Sequence, residues 1–303
     1  VRLTTSGERE DILVGKVRIV TDSSAQFLDP TVVDRYGITV VPHTILLGSR
    51  AFREGIDIEP QAFFQLVRQT EFPARLMAPS ADDFTAVFKR LNRETDQILA
   101  ITMSRHMSQA WENALRASKA LLGRCDIVPL DSTTTSVGLA LLVEQAAQAA
   151  EDGATLDDIV HLIRSLLPHV YSVFYVDSLT YLRHNNLLSE AQVLLGTMLD
   201  IKPFLTIENG ELIAMEKVRS QAQAIEKLIE FVAEFSELQH LVILTNALLP
   251  AERTRLLLEH LAMEFPDRSF PQVLYQPSLV ALIGPDGYGV VVQEEAEAGE
   301  ELL

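Results

Sequence analysis

The run "ITMSRHMSQAWENALRA", Ile101 to Ala117, gathers Ser104, Arg105, His106 and Ser108 in a polar turn between an apolar strand and a helix. Three chemistries suit such a turn. A serine beside a histidine is the start of a nucleophile and base pair. Backbone amides at a helix start attract an anion. A serine hydroxyl at the same place caps the helix. Ser104 and His106 are near neighbours in one turn, and spacing alone disfavours a triad built on them. Ser108 is better placed, because its hydroxyl can cap the helix while the nearby free N–H groups receive a carboxylate. The cap and the anion site are compatible, and both stay open.

Competing chemistries find less material. A phosphate loop needs glycines for close backbone approach, and the turns after "KVRIV" and "DQILAIT" contain none. The nucleophile elbow GxSxG is absent. A hydrolase or transferase using the Ser104–Ser108 turn would need Asp22, Asp131 or His106 within hydrogen-bond reach. The seven histidines show no HxH or HExxH spacing, so no metal ligand set is expected. His161, at helical spacing with Val160, Leu162 and Leu166, reads as a packed helix histidine. His43 follows Pro42 near a strand and reads as a turn residue. Cys125, the only cysteine, excludes an internal disulfide and reads as a buried structural thiol. An apolar ligand remains, which needs an apolar tunnel and a few donors at one end.

The elements that would position these residues alternate. "KVRIVTDSS", "YGITVVPHTILLG", "DQILAIT" and "CDIVPLDS" read as strands or β-rich runs. "QAFFQLVRQT", "ADDFTAVFKRLN", "MSQAWENALRASKALLG", "TSVGLALLVEQAAQAAEDG" and "TLDDIVHLIRSLLPH" have helical spacing, with Ser80 and Asp83 as a capping pair and Gly123 and Gly153 as stops. Alternation predicts a doubly wound parallel sheet with helices on both faces over residues 17–168. Ligands in such sheets bind at the carboxyl ends of strands. Thr21-Asp22-Ser23-Ser24, Ser104 to Ser108 and Asp131-Ser132-Thr133 would converge there. After Pro168 an aromatic strand, a helix "SEAQVLLGTMLD", a hairpin around Glu208-Asn209-Gly210 and a long helix predict a second domain with a mixed α/β sheet over 169–293. Residues 1–16 read as a lead-in and 294–303 as an acidic tail.

The totals narrow the possible partners. The chain has 303 residues, 48% of them hydrophobic, enough for two cores. Its 25 basic and 42 acidic residues leave a net charge of −17. That disfavours nucleic-acid phosphates and anionic membrane surfaces as partners. No run of about 18 apolar residues appears, so stable membrane insertion is not expected. Single-cysteine usage and the charged start fit a cytoplasmic location.

The ordered pieces "VRIVTDSSAQF", "VVPHTILLGSRAFREGIDI", "APSADDF", "ILAITMSRHMSQAWENA", "IVPLDSTTTSVGLALLVEQAA", "VDSLTYLRHNNLLSEAQVLLGTMLDIKPFLTIENGELIAMEKVR" and "LIGPDGYGVVV" together resemble the DegV family of bacterial fatty-acid-binding proteins. The resemblance runs from Val17 to about Val292. It implies two α/β domains, a long-chain fatty acid between them as the ligand, no further cofactor, and a carrier that does no bond-making chemistry. In the family's fatty acid kinase system, the carrier presents its acid to a separate kinase subunit. Carried onto this chain, the headgroup residues would be Ser108 and Gln109, with Ser80 and Ser23 beside them. The acyl tunnel would be lined by Phe174, Leu187, Leu188, Leu195, Met198, Leu205, Ile207, Leu282 and Ile283. A lipid-responsive regulatory binder is the other non-enzymatic alternative.

The departures share a direction. The family's TSQPS-like element becomes Leu76-Met77-Ala78-Pro79-Ser80, and its LSGT turn becomes Met107-Ser108-Gln109-Ala110. The arginine of its GGRIS element is replaced by Leu187, and the histidine of its HxGPG element by Leu282. Hydroxyl, cation and imidazole have become Leu or Met. A buried carboxylate needs donors. Either Arg105 and His106 supply a replacement anchor, or the ligand carries less charge than an ordinary fatty acid.

Overall fold

The computed structural model describes residues 15–188, 202–218, 220–235, 237–246, 251–266 and 268–295. Residues 1–14 of the lead-in, residues 296–303 of the tail, and the predicted helix that contains Leu195 and Met198 lie outside them.

Strands β1 (Arg18–Asp22), β2 (Thr39–Val41), β6 (Gln97–Thr102) and β7 (Asp126–Asp131) form a sheet of order β2-β1-β6-β7. All three pairings are parallel. Alternation along the strands sends side chains to both faces. Val20, Ile98 and Ala100 meet Phe84, Phe88 and Leu91 of α3 (Ala81–Leu91) and Ala110, Ala114 and Ala117 of α4 (Ala110–Ser118). Ile19, Leu99 and Ile101 join the opposite cluster, with α1 (Thr31–Tyr36), α5 (Ser136–Glu151) and α6 (Leu156–Leu166). The sheet is therefore doubly wound. Two of its helices, α3 and α6, start at reciprocal capping boxes, Ser80 with Asp83 and Thr155 with Asp158. His161, expected to be packed, is exposed on α6. Val160 and Ile163 fill the buried face, so helical spacing alone placed the histidine one step too far inward.

The apolar run "YGITVVPHTILLG" serves two sheets. It breaks at Pro42-His43, with β2 before and β3 (Thr44–Leu47) after. Proline has no N–H to continue the ladder. β3 instead pairs antiparallel with β4 (Arg50–Arg53) and β5 (Arg75–Met77) in a small sheet. The helix α2 (Pro60–Arg68) follows β4.

A six-stranded mixed sheet carries the rest, in the order β10-β9-β8-β13-β11-β12. Its strands are β8 (Val170–Tyr175), β9 (Lys202–Glu208), β10 (Glu211–Val218), β11 (Leu238–Thr245), β12 (Gln272–Leu274) and β13 (Tyr288–Glu294). The predicted hairpin is β9–β10, turning at Asn209 and Gly210 with φ of 50° and 86°. On one face Val173, Tyr175, Ile243, Val290 and Val292 pack with α8 (Gln221–Ala233) and α9 (Ala251–Glu264). On the other, Phe174, Leu205, Val242, Leu244 and Val291 share an apolar cluster with Ile45, Phe63 and the residues of α5. The short helices α7 (Thr180–His184) and α10 (Pro277–Ile283) enter that same cluster, and every residue of α10 is buried. The two large sheets thus share one apolar interior.

Candidate functional site

The carboxyl ends of the first sheet hold a buried polar cluster that reaches to the second. It starts at Asp22, the last residue of β1. Asp22 Oδ2 accepts the Met103 N–H at 2.7 Å, and Oδ1 accepts the backbone N–H and the hydroxyl of Ser24. These bonds tie the end of β1 to the turn after β6.

His43 lies beside it. Its side chain is completely buried, with Nε2 3.0 Å from Ser108 Oγ and Nδ1 3.6 Å from Asp22 Oδ1. The second distance is too long for a hydrogen bond, and Nδ1 has no hydrogen-bond partner. Burial lowers the imidazole pKa, and the Asp22 charge opposes that in part. A neutral ring keeps one N–H. The nearby carboxylate favours placing it on Nδ1, which leaves Nε2 to accept the Ser108 hydroxyl proton.

A second buried acid closes the cluster. The His43 backbone N–H donates to Ser23 Oγ at 2.8 Å, and the Ser23 hydroxyl donates to Glu54 Oε2 at 2.7 Å. Glu54 Oε1 accepts the Ser278 N–H at the start of α10, at 2.6 Å. Burial pushes the Glu54 carboxyl up to about 7, against the Ser23 and Ser278 hydrogen bonds; Asp22 adds to the rise.

The expected headgroup residues fall into two sets. Ser108 and Ser23 are buried in this cluster. Ser108 Oγ also accepts the Ala110 N–H at 3.3 Å, so the hydroxyl does help to start α4, although Gln109 occupies the cap position. Gln109, Ser80, Arg105 and His106 are exposed. Both polar functions of Ser80 are spent on the α3 capping box. Arg105 faces Asp131 at 3.6 Å and lies over the Trp111 ring, and His106 Nδ1 lies 3.3 Å from Glu211. Ser104 does not pair with the His106 ring. Its hydroxyl donates to the Gly210 carbonyl at 2.7 Å, which anchors the β9–β10 turn to the first sheet.

The expected tunnel residues that the structure describes share one neighbourhood. Phe174, Leu205, Leu282 and Ile283 are buried members of the shared apolar cluster, and Leu187, Leu188 and Ile207 pack on it. Leu76 belongs to the same cluster. The β3–β5 register pairs Ile45 with Leu76 and Thr44 with Met77, so the chain leaving His43 runs beside two of the departed positions. Asn185 joins the pieces. Its Oδ1 accepts the Leu76 N–H at 2.9 Å, and the two Nδ2 hydrogens are shared among the carbonyls of Ala74, Tyr181 and Ala281 at 3.2, 3.1 and 2.7 Å.

Two site residues were missed by sequence reasoning, His43 and Glu54. A polar residue directly after a proline inside an apolar run was the available signal for His43. Nothing local marks Glu54 as buried. Among the described residues no cluster of His, Cys, Asp and Glu can hold a metal ion. Cys125 is half-buried, its thiol pushed up to about 11 by burial and Asp96, which suits a poor nucleophile. No helix among the described residues is long and apolar enough to cross a membrane.

Comparison with known proteins places this geometry in context. A family model described as "Uncharacterised protein, DegV family" matches residues 16–295. A DegV domain-containing protein of Streptomyces coelicolor is 31% identical over 278 residues, covering 91% of this chain and 98% of the relative. A Thermus thermophilus structure, described as fatty acid binding of a DegV family protein, aligns with a TM-score of 0.78 and 25% identity, over 92% of this chain and 100% of that one. A Streptococcus agalactiae structure of a fatty acid binding DegV family protein aligns with a TM-score of 0.84 over 93% of this chain and 100% of that one; at 20% identity it bears on the fold alone.

Proposed function

The chain belongs to the DegV family, and from that premise we propose that it is a carrier of one long-chain fatty acid. The carboxylate lies at Ser108, and the acyl chain enters the apolar cluster of Phe174, Leu187, Leu188, Leu205, Ile207, Leu282 and Ile283. The observation that carries this reading is Ser108 itself. It is a buried hydroxyl at the start of α4, adjoining Met107, which belongs to the apolar cluster shared by both sheets. A donor at the edge of a deep apolar interior is the arrangement an amphiphilic acid requires. The finer parts of the proposal are a cytoplasmic location and presentation of the bound acid to a separate kinase subunit. Acyl phosphate formation with a purified kinase, ATP and a fatty acid would test the latter.

Burial of the chain supplies most of the affinity. Each buried methylene contributes about 0.8 kcal/mol, so affinity should rise roughly fourfold per added CH₂ until the site is full. Ser108→Ala removes one hydrogen bond to a charged group, a loss of about 1.5–3 kcal/mol, or roughly ten- to a hundredfold in Kd. Native mass spectrometry of the purified protein is expected to show one fatty acid per chain. An empty protein that also ignores added fatty acids would overturn the proposal.

One observation favours a second reading, an acyl hydrolase. Asp22, His43 and Ser108 stand in the order and roles of an acid, base and nucleophile. The 3.6 Å between His43 and Asp22 and the commitment of both Asp22 oxygens to other donors make it the secondary one. Covalent labelling of Ser108 by a fluorophosphonate, with turnover of a p-nitrophenyl acyl ester, would promote it.

A further inference from the structure

Three of the polar positions expected around the carboxylate are Leu76, Leu187 and Leu282 in this chain. The structure puts an imidazole at the site from a different element. His43 reaches Ser108 from the β2–β3 junction, and its Nδ1 is buried without a hydrogen-bond partner, facing Asp22. The carrier proposal leaves that pair unexplained.

The proton inventory of the pair constrains what can bind. With N–H on Nδ1, the Ser108 hydroxyl spends its only proton on His43 Nε2. Ser108 Oγ and His43 Nε2 then present lone pairs to an arriving carboxylate. Two acceptors facing an anion repel it. Turning the Ser108 hydroxyl toward the carboxylate relieves half of this and still leaves a bare Nε2 beside it. One added proton resolves the conflict: Nε2–H donates to the carboxylate, Nδ1–H stays toward Asp22, and Ser108 O–H is free to donate.

We propose that His43 is the headgroup-reading residue of this protein, and that a fatty acid binds together with one proton that comes to rest on His43, between the ligand carboxylate and Asp22. The balance is a carboxylate plus a proton from solvent plus neutral His43, giving a carboxylate held by an imidazolium. No covalent bond forms or breaks. The inference rests on the carrier reading and adds the identity of the cationic anchor.

The surroundings of His43 fit this assignment. From β1, Asp22 faces Nδ1 and is the one charged group among the described residues whose field acts on the ring. From the end of β4, Glu54 connects through Ser23 to the His43 backbone, not to the ring. From the turn before α4, Ser108 faces Nε2, while Arg105 and His106 are exposed and turned to Asp131 and Glu211. Burial favours the neutral ring, against the pull of Asp22. A bound carboxylate adds a second negative partner and favours the charged ring.

Calorimetry of myristate binding, below its micellar concentration and in buffers of differing ionisation enthalpy, reads proton uptake directly. The full wild-type chain is expected to take up close to one proton per acid near neutral pH. Apparent affinity should then fall up to about tenfold for each unit of rising pH. His43→Gln, with folding checked by circular dichroism, should bind more weakly and take up almost none. Glu54→Gln should retain the uptake. Heats independent of buffer in the wild type would overturn the inference while leaving the carrier reading intact. Undiminished uptake in His43→Gln would also overturn it, by placing the proton elsewhere. No binding of myristate by the wild type, at any pH, would remove the carrier reading and this inference with it.

Discussion

Glu54→Gln is expected to make the protein more stable above neutral pH and to leave it nearly unchanged below about pH 4.5. The cause is the folded-state carboxyl, raised from 4.5 to about 7 by complete burial. The folded chain holds that proton to higher pH than the unfolded chain. The stability this supplies is fully present below 4.5 and is lost as pH rises through about 7. The gap corresponds to about 3 kcal/mol across that window. Glutamine is an uncharged near-isostere. Its carbonyl can still accept the Ser278 N–H, and the Ser23 hydroxyl can reorient to meet its amide. It has no proton to lose, so the variant should gain up to about 3 kcal/mol over the wild type at about pH 8. Urea unfolding across this range measures the difference. Parallel stability curves for the two proteins would refute the assignment. His43 has the opposite slope: its lowered pKa costs stability as pH falls below the ordinary 6.5. The comparison with Glu54→Gln isolates the Glu54 component, because both proteins carry His43.

Glu54 and His43 also mark where reading the sequence stopped. The helices were legible because their signals are local: Ser80 with Asp83, the stops Gly123 and Gly153, and apolar residues three or four apart. The parallel sheet was legible from alternation, and its polar strand ends brought Asp22, Ser23 and Ser108 into the expected region. The run from Tyr36 to Gly48 was different. Its composition says strand throughout, but Pro42 divides it between two sheets, and this division drops His43 into the polar cluster. Which strand end lies next to which is a tertiary fact. No local pattern says that the residue after Pro42 meets the residue before Gln109. Glu54 was harder still, since "FREGIDI" reads as a charged surface turn. Its burial depends on α10, more than 220 positions later. Arg105 and His106 were drawn into the expected anchor because they adjoin Ser108 in sequence. Adjacent turn residues diverge in space, and these two stay at the surface with acidic partners.

The departures Leu76, Leu187 and Leu282 are spread along the chain and yet belong to one place. All three lie in or against the shared apolar cluster, and Asn185 hydrogen-bonds to Leu76 itself and to Ala281, the neighbour of Leu282, two residues before Leu187. An apolar wall without an isolated donor or charge avoids the cost of leaving that group unpaired. Polar groups border this cluster on the Ser108–His43 side, next to Met107. That arrangement depends on holding β5, α7 and α10 in register, and Asn185 links them through the Leu76 N–H and the carbonyls of Ala74 and Ala281. Asn185→Ala removes them all and leaves the Leu76 N–H and the Ala281 carbonyl without this partner. At about 1 kcal/mol per bond, for one bond accepted and two donated, the expected loss is about 3 kcal/mol of unfolding free energy. Asn185→Asp is the sharper probe. Its carboxylate can still accept the Leu76 N–H but cannot donate to the carbonyls of Ala74, Tyr181 and Ala281, so it should be destabilised at least as much at neutral pH and recover in part when protonated. Thermal unfolding of both variants at two pH values reads this. A melting temperature unmoved by Asn185→Ala would mean that packing of the leucines alone holds the three elements together.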